Sequence, residues 1–107
     1  YTFYDEDVWN GSLYPRVDIQ NIPVGSNYKL CAYYECSGLS MDCKSGTSSS
    51  YAGMAGCCSD AAANGSESVR LDPNCDGWSD DGNVFVRVTR VSGPWTCNAY
   101  TLKWGDD

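Results

Sequence analysis

The sequence contains no histidine, and only seven lysines and arginines stand against fourteen aspartates and glutamates. Without imidazole, the usual base beside a serine or cysteine nucleophile is missing, and so is a common nitrogen ligand of structural zinc. The net charge of −7 repels phosphate backbones and argues against nucleic acid as a partner. No apolar run approaches the roughly 20 residues of a membrane helix, so no membrane span is expected. No charged-then-apolar leader opens the chain either, and Tyr1 is expected to follow a removed leader or an upstream domain. Helical periodicity is scarce, and neither paired C-x₂₋₄-C knuckles nor a C-x-x-C redox motif is present.

What the chain does have is cysteine. Seven occur in 107 residues, at Cys31, Cys36, Cys43, Cys57, Cys58, Cys75 and Cys97. That density, in a chain long enough for one domain spanning residues 1–107, implies an oxidising compartment and a secreted, extracellular protein held by disulfides. The short spacing of Cys36 and Cys43 around Gly38 favours a local pair. Cys57 or Cys58 is then expected to reach Cys75, and Cys31 or the remaining member of 57/58 to reach Cys97. Seven is odd, so one cysteine is left as a buried thiol or as a link to another chain.

Gly, Ser, Asn and Asp punctuate short runs in which apolar and polar residues alternate, the pattern of half-buried strands. Arg16 to Ile22 alternates through Val17 and Ile19, with Ile22 out of phase, and Pro23-Val24-Gly25 reads as a turn. Tyr28, Leu30, Ala32 and Tyr34 fall on one face of the next strand, and Lys29, Cys31, Tyr33 and Glu35 on the other. From Ser37 to Gly65 the chain turns to Ser, Gly, Ala and Cys, too poor in large apolar groups to form its own core, and cross-links are expected to hold it. Strand chemistry returns over Glu67 to Leu71. It is clearest over Asn83 to Val91, with Val84, Val86 and Val88 inward and Phe85, Arg87 and Thr89 opposite. Tyr100, Leu102 and Trp104 repeat at period two, Tyr100 and Trp104 reading as core, and the last two runs are expected to close the sheet as a hairpin. The fold class is all-β, an antiparallel β-sandwich stapled by disulfides.

Acidic residues concentrate at Asp5-Glu6-Asp7 and at Asp76, Asp80 and Asp81. Calcium takes six to eight oxygens from flexible loops, so these six carboxylates are candidate ligands, although the later loop lacks the terminal glutamate of an EF-hand; a solvated acidic loop is the alternative. Paired carboxylates also raise glycoside hydrolysis, but so small a domain rarely builds the required cleft, and no enzymatic activity is expected. Four tryptophans and eight tyrosines are a heavy aromatic load. Trp9, Tyr14, Trp78 and Trp95 lie beside Asn, Gly, Ser or Pro, where a ring either stacks on a sugar or a partner protein or folds back over the sandwich edge. Asn10-Gly11-Ser12 and Asn64-Gly65-Ser66 fit the N-glycosylation pattern.

Taken together, Asn27 to Cys36 (NYKLCAYYEC), Gly56-Cys57-Cys58-Ser59, Gly65 to Val69 (GSESV), Asp80 to Val88 (DDGNVFVRV) and Cys97 to Leu102 (CNAYTL) resemble the bacterial pre-peptidase C-terminal domains, in a cysteine-rich subgroup of secreted proteins. The resemblance covers most of the chain from Tyr4 onward and rests on strand patterns and cysteine positions. It implies a jelly-roll-like sandwich, found on secreted proteases and polysaccharide-degrading enzymes, where some relatives bind calcium or help to bind insoluble substrates. An acidic N-terminal segment commonly supplies calcium ligands there, and Asp5, Glu6 and Asp7 match it; the second ligand loop has no residue-for-residue match. The expected function is thus a non-enzymatic extracellular module that adheres to a polysaccharide or protein surface, with calcium as the one expected cofactor. The alternative is a structural subunit of an extracellular filament or surface assembly, in which exposed sheet edges pack between copies by self-assembly.

Overall fold

A computed structural model describes residues 2–5, 14–22, 27–36, 38–59, 65–75, 82–92 and 100–106. These form nine strands and, among the described residues, no helix: β1 (Thr2–Asp5), β2 (Pro15–Ile22), β3 (Asn27–Glu35), β4 (Ser40–Ser45), β5 (Thr47–Tyr51), β6 (Met54–Ser59), β7 (Gly65–Asn74), β8 (Gly82–Ser92) and β9 (Thr101–Asp106). They make a five-stranded sheet in the order β1-β8-β3-β6-β5 and a four-stranded sheet in the order β4-β7-β2-β9, every pairing antiparallel. β1 pairs with β8, β2 with β7 and β3 with β6, the nested pairing of one long hairpin rolled over on itself. The result is a jelly-roll-like β-sandwich, with β9 added to the free side of β2.

The alternation of each strand decides what lies between the sheets. Val17 and Ile19 of β2, Leu30, Ala32 and Tyr34 of β3, Val69 and Leu71 of β7, and Val84 and Val86 of β8 are all buried in one cluster. Glu67 shares the inward face of β7 with Val69 and Leu71 and is 4% exposed. Ile22 is out of phase with Ile19 because the register with β7 slips between them, at a bulge where Asn21 takes a positive φ of 59°. Asparagine tolerates that left-handed conformation, and its Nδ2 donates to Thr101 Oγ1 at 3.0 Å, fastening the bulge to β9.

Three expectations about the strands are corrected. Residues 37–65 do not form one long cross-linked connection but contribute β4, β5 and β6, whose alternation is carried by small side chains and is invisible to a hydrophobic pattern. β8 and β9 do not form a hairpin: β8 lies between β1 and β3 in one sheet, and β9 pairs with β2 in the other. Trp104 is 53% exposed rather than core. It shares the face of its register partner Val17, but β9 is the outermost strand of its sheet, so the ring overhangs the rim. Tyr100 does pack on the core, its ring centroid 5.4 Å from that of Tyr28.

The disulfides are Cys31–Cys58, Cys36–Cys75 and Cys43–Cys57. Neither the expected Cys36–Cys43 pair nor a link from 57/58 to Cys75 is formed. Cys36 leaves β3 on one sheet and Cys75 leaves β7 on the other, so that bond clips the sheets together, while Cys43 sits inside β4 and reaches across to β6. The expected link to Cys97 is not made from Cys31, Cys57 or Cys58, all three being paired elsewhere; Cys97 itself, like the Pro23-Val24-Gly25 turn, lies outside the described residues.

Candidate functional site

The outward face of the five-stranded sheet carries the densest set of side chains able to meet a ligand. On β3 the strand alternation that sends Leu30, Ala32 and Tyr34 into the core sends Lys29, Cys31, Tyr33 and Glu35 outward. Register partners share a face, so Arg87 lies beside Cys31, Phe85 beside Tyr33, Cys58 on the other side of Cys31, and Gly56 on the other side of Tyr33. β5 extends these rows with Thr47 opposite Cys58, Ser49 opposite Gly56 and Tyr51 opposite Met54.

Within this face Tyr33 is only 3% exposed although it points away from the core. Its ring lies across Gly56, where a Cβ would come within 2.7 Å of Tyr33 Cδ1 and 2.1 Å of the Ala32 carbonyl oxygen. The Tyr33 hydroxyl approaches Cys58 Sγ at 3.8 Å. Tyr51 closes over it, ring centroids 5.7 Å apart, and the Arg87 guanidinium carbon stands 4.4 Å from the Tyr51 centroid. Met54 and Phe85 pack against the same cluster beside the Cys31–Cys58 disulfide. The outcome is a stacked cation and two rings, with Tyr51 itself 47% exposed.

Next to this stack lies a cleft of about 300 Å³ lined by Lys29, Thr47, Ser48, Ser49 and Cys58. Lys29 is exposed and makes no ion pair among the described residues. Lys29 and Arg87 against Glu35 give the described part of this face a positive balance, in a chain whose net charge is −7.

Of the residues proposed from sequence, Tyr14 lies just before β2, half-buried, with Lys44 Nζ 3.8 Å from its ring centroid, so one face of the ring already holds a cation. Trp9, Trp78, Trp95, Glu6, Asp7, Asp76, Asp80 and Asp81 lie outside the described residues. Asp5 ends β1 and is the register partner of Gly82, the first residue of β8. Among the described residues no three Cys, Asp or Glu side chains are grouped as a metal site, and no helix is long and apolar enough to cross a membrane.

Lys29, Tyr33, Thr47, Ser49, Tyr51 and Arg87 were not singled out as a site by the sequence. Tyr33 and Arg87 already stood on outward faces in the alternation, which was the available signal; Thr47 to Tyr51 gave none, because a Thr-Ser-Ser-Ser-Tyr run shows no apolar period. Comparison of the chain with protein-family models, with curated proteins and with solved structures found no match.

Proposed function

We propose that this chain is a non-catalytic extracellular adhesion module that uses the outward face of its five-stranded sheet to hold a polysaccharide or protein surface. The observation that carries the reading is the Arg87–Tyr51–Tyr33 stack, a rigid aromatic platform with a positive margin on a domain that is otherwise acidic. Aromatic and arginine side chains held by neighbours lose little freedom on binding, which is why such groups dominate recognition surfaces. Three disulfides fit an oxidising extracellular setting and keep the platform rigid there. Calcium belongs to this proposal as the ion that the acidic candidates named from the sequence, Asp5 among them, would bind. The resemblance to pre-peptidase C-terminal domains, with their appended binding roles, points the same way.

The test is retention on a panel of insoluble surfaces, cellulose, chitin, calcium pectate and immobilised matrix protein, by the chain and by Tyr51→Ala, Arg87→Ala, Trp78→Ala and Trp95→Ala. Retention that falls at least tenfold in Tyr51→Ala or Arg87→Ala is expected. Retention on none of them, together with sedimentation of the chain alone as a polymer, replaces this reading by the alternative of an assembly subunit.

A further inference from the structure

We infer that the cleft between Lys29 and the hydroxyl row of β5 is a subsite for one acidic sugar unit, a uronate or a similarly carboxylated residue of a polysaccharide. The inference rests on the adhesion reading and names its ligand class. A volume of about 300 Å³ is at the lower end of what small-molecule sites enclose, enough for one ring and its substituents. The lining sets the chemistry. Thr47 and Ser49 share the outward face with Cys58 and Gly56, so their hydroxyls stand in a row two residues apart along β5, spaced as strand neighbours on one face are. Ser48 between them turns the other way, its Oγ 3.9 Å from Cys43 Sγ. Hydroxyls both donate and accept, which suits the hydroxyls of a sugar and offers nothing to an apolar ligand.

Lys29 supplies the selectivity. Its ammonium has three donors and no ion-pair partner among the described residues, and one carboxylate of a ligand can pair with it. A phosphate or sulfate cluster needs several cations, and among the described residues Lys29 is the only cation lining the cleft. The Cys31–Cys58 disulfide ties the strand carrying Lys29 to the strand paired with Thr47, so the lysine and the hydroxyl row keep their spacing.

The experiment is titration of the full chain, disulfides intact, with trigalacturonate and with the neutral cellotriose, followed by calorimetry and by amide NMR shifts, for the wild type, Lys29→Gln and Thr47→Val. A correct proposal shows trigalacturonate binding, shifts centred on Lys29, Thr47, Ser49 and Cys58, a loss of about tenfold or more in Lys29→Gln from the missing charge-assisted hydrogen bond, and a smaller loss in Thr47→Val. Non-reducing peptide maps and circular dichroism matching the wild type establish that the variants fold. Equal affinity for both trisaccharides, no binding of either, or shifts elsewhere on the domain overturns it. If the chain is retained on an insoluble surface and Lys29→Gln is retained equally, the subsite fails and the adhesion reading stands; if nothing retains the chain, both fail.

Discussion

Cys57 and Cys58 are neighbours in the chain and point to opposite faces of β6, so the first bonds across the core to Cys43 on the other sheet and the second bonds along the outer face to Cys31 on the adjacent strand. The period of two in a β-strand makes this division of labour unavoidable for vicinal cysteines. One bond joins the two sheets; the other joins register partners that the sheet already holds together.

Removing the Cys43–Cys57 bond in Cys43→Ala/Cys57→Ala is expected to lower stability by about 3 kcal/mol, the loop-closure value for its sequence separation of 14. Guanidinium unfolding followed by tryptophan fluorescence measures it. Hydrogen exchange is expected to rise first in β4 and β6, which that bond joins. Unchanged stability would falsify the assignment of this bridge as a structural clip.

Within residues 1–107 the other six cysteines are paired with one another, which leaves Cys97 none of them as a partner. Denatured, unreduced protein is therefore expected to react with one equivalent of a thiol reagent per chain. A count of zero with a doubled mass on a non-reducing gel identifies Cys97 as a link between chains instead.

The hairpin joining β5 to β6 turns on Ala52 and Gly53, with φ of 52° and 80°. Two successive positive φ values define the type I′ turn that suits strand twist, but alanine pays about 1 kcal/mol for it where asparagine or glycine is at ease. Ala52→Asn is expected to raise stability by about 1 kcal/mol and the melting temperature by about 4 to 8 °C. Calorimetry showing no gain argues against this turn.

Gly56 is the opposite case. A methyl there meets the Ala32 carbonyl oxygen and the Tyr33 ring, backbone and buried ring both, so Gly56→Ala is expected to cost about 3 kcal/mol through forced repacking. Chemical denaturation measures the loss, and a variant as stable as the wild type contradicts the placement of Tyr33 over Gly56.

Calcium at a hundred times its dissociation constant is expected to stabilise the chain by about 2.7 kcal/mol, with EDTA reversing the shift. Asp5→Asn is expected to weaken this response while leaving the calcium-free melting temperature within a few degrees. A melting curve indifferent to calcium removes the ion from the proposal.

Sequence by itself determined the fold class and the two faces of β3 and β8. Val84 and Val86 against Phe85 and Arg87, and Leu30 and Tyr34 against Cys31 and Tyr33, are sorted by alternation alone, because a strand has no other way to arrange successive side chains. It also showed Ile22 out of phase, which the structure explains by a bulge. Tertiary structure alone decided which cysteines meet, that β8 and β9 part into different sheets, and that the serine-rich run from Thr47 becomes an edge strand lining a cleft with Lys29. Alternation is a local property written in neighbouring residues, whereas disulfide partners and the lining of a cleft depend on how distant strands are stacked. That stacking is set by the rolled hairpin as a whole rather than by any segment of it.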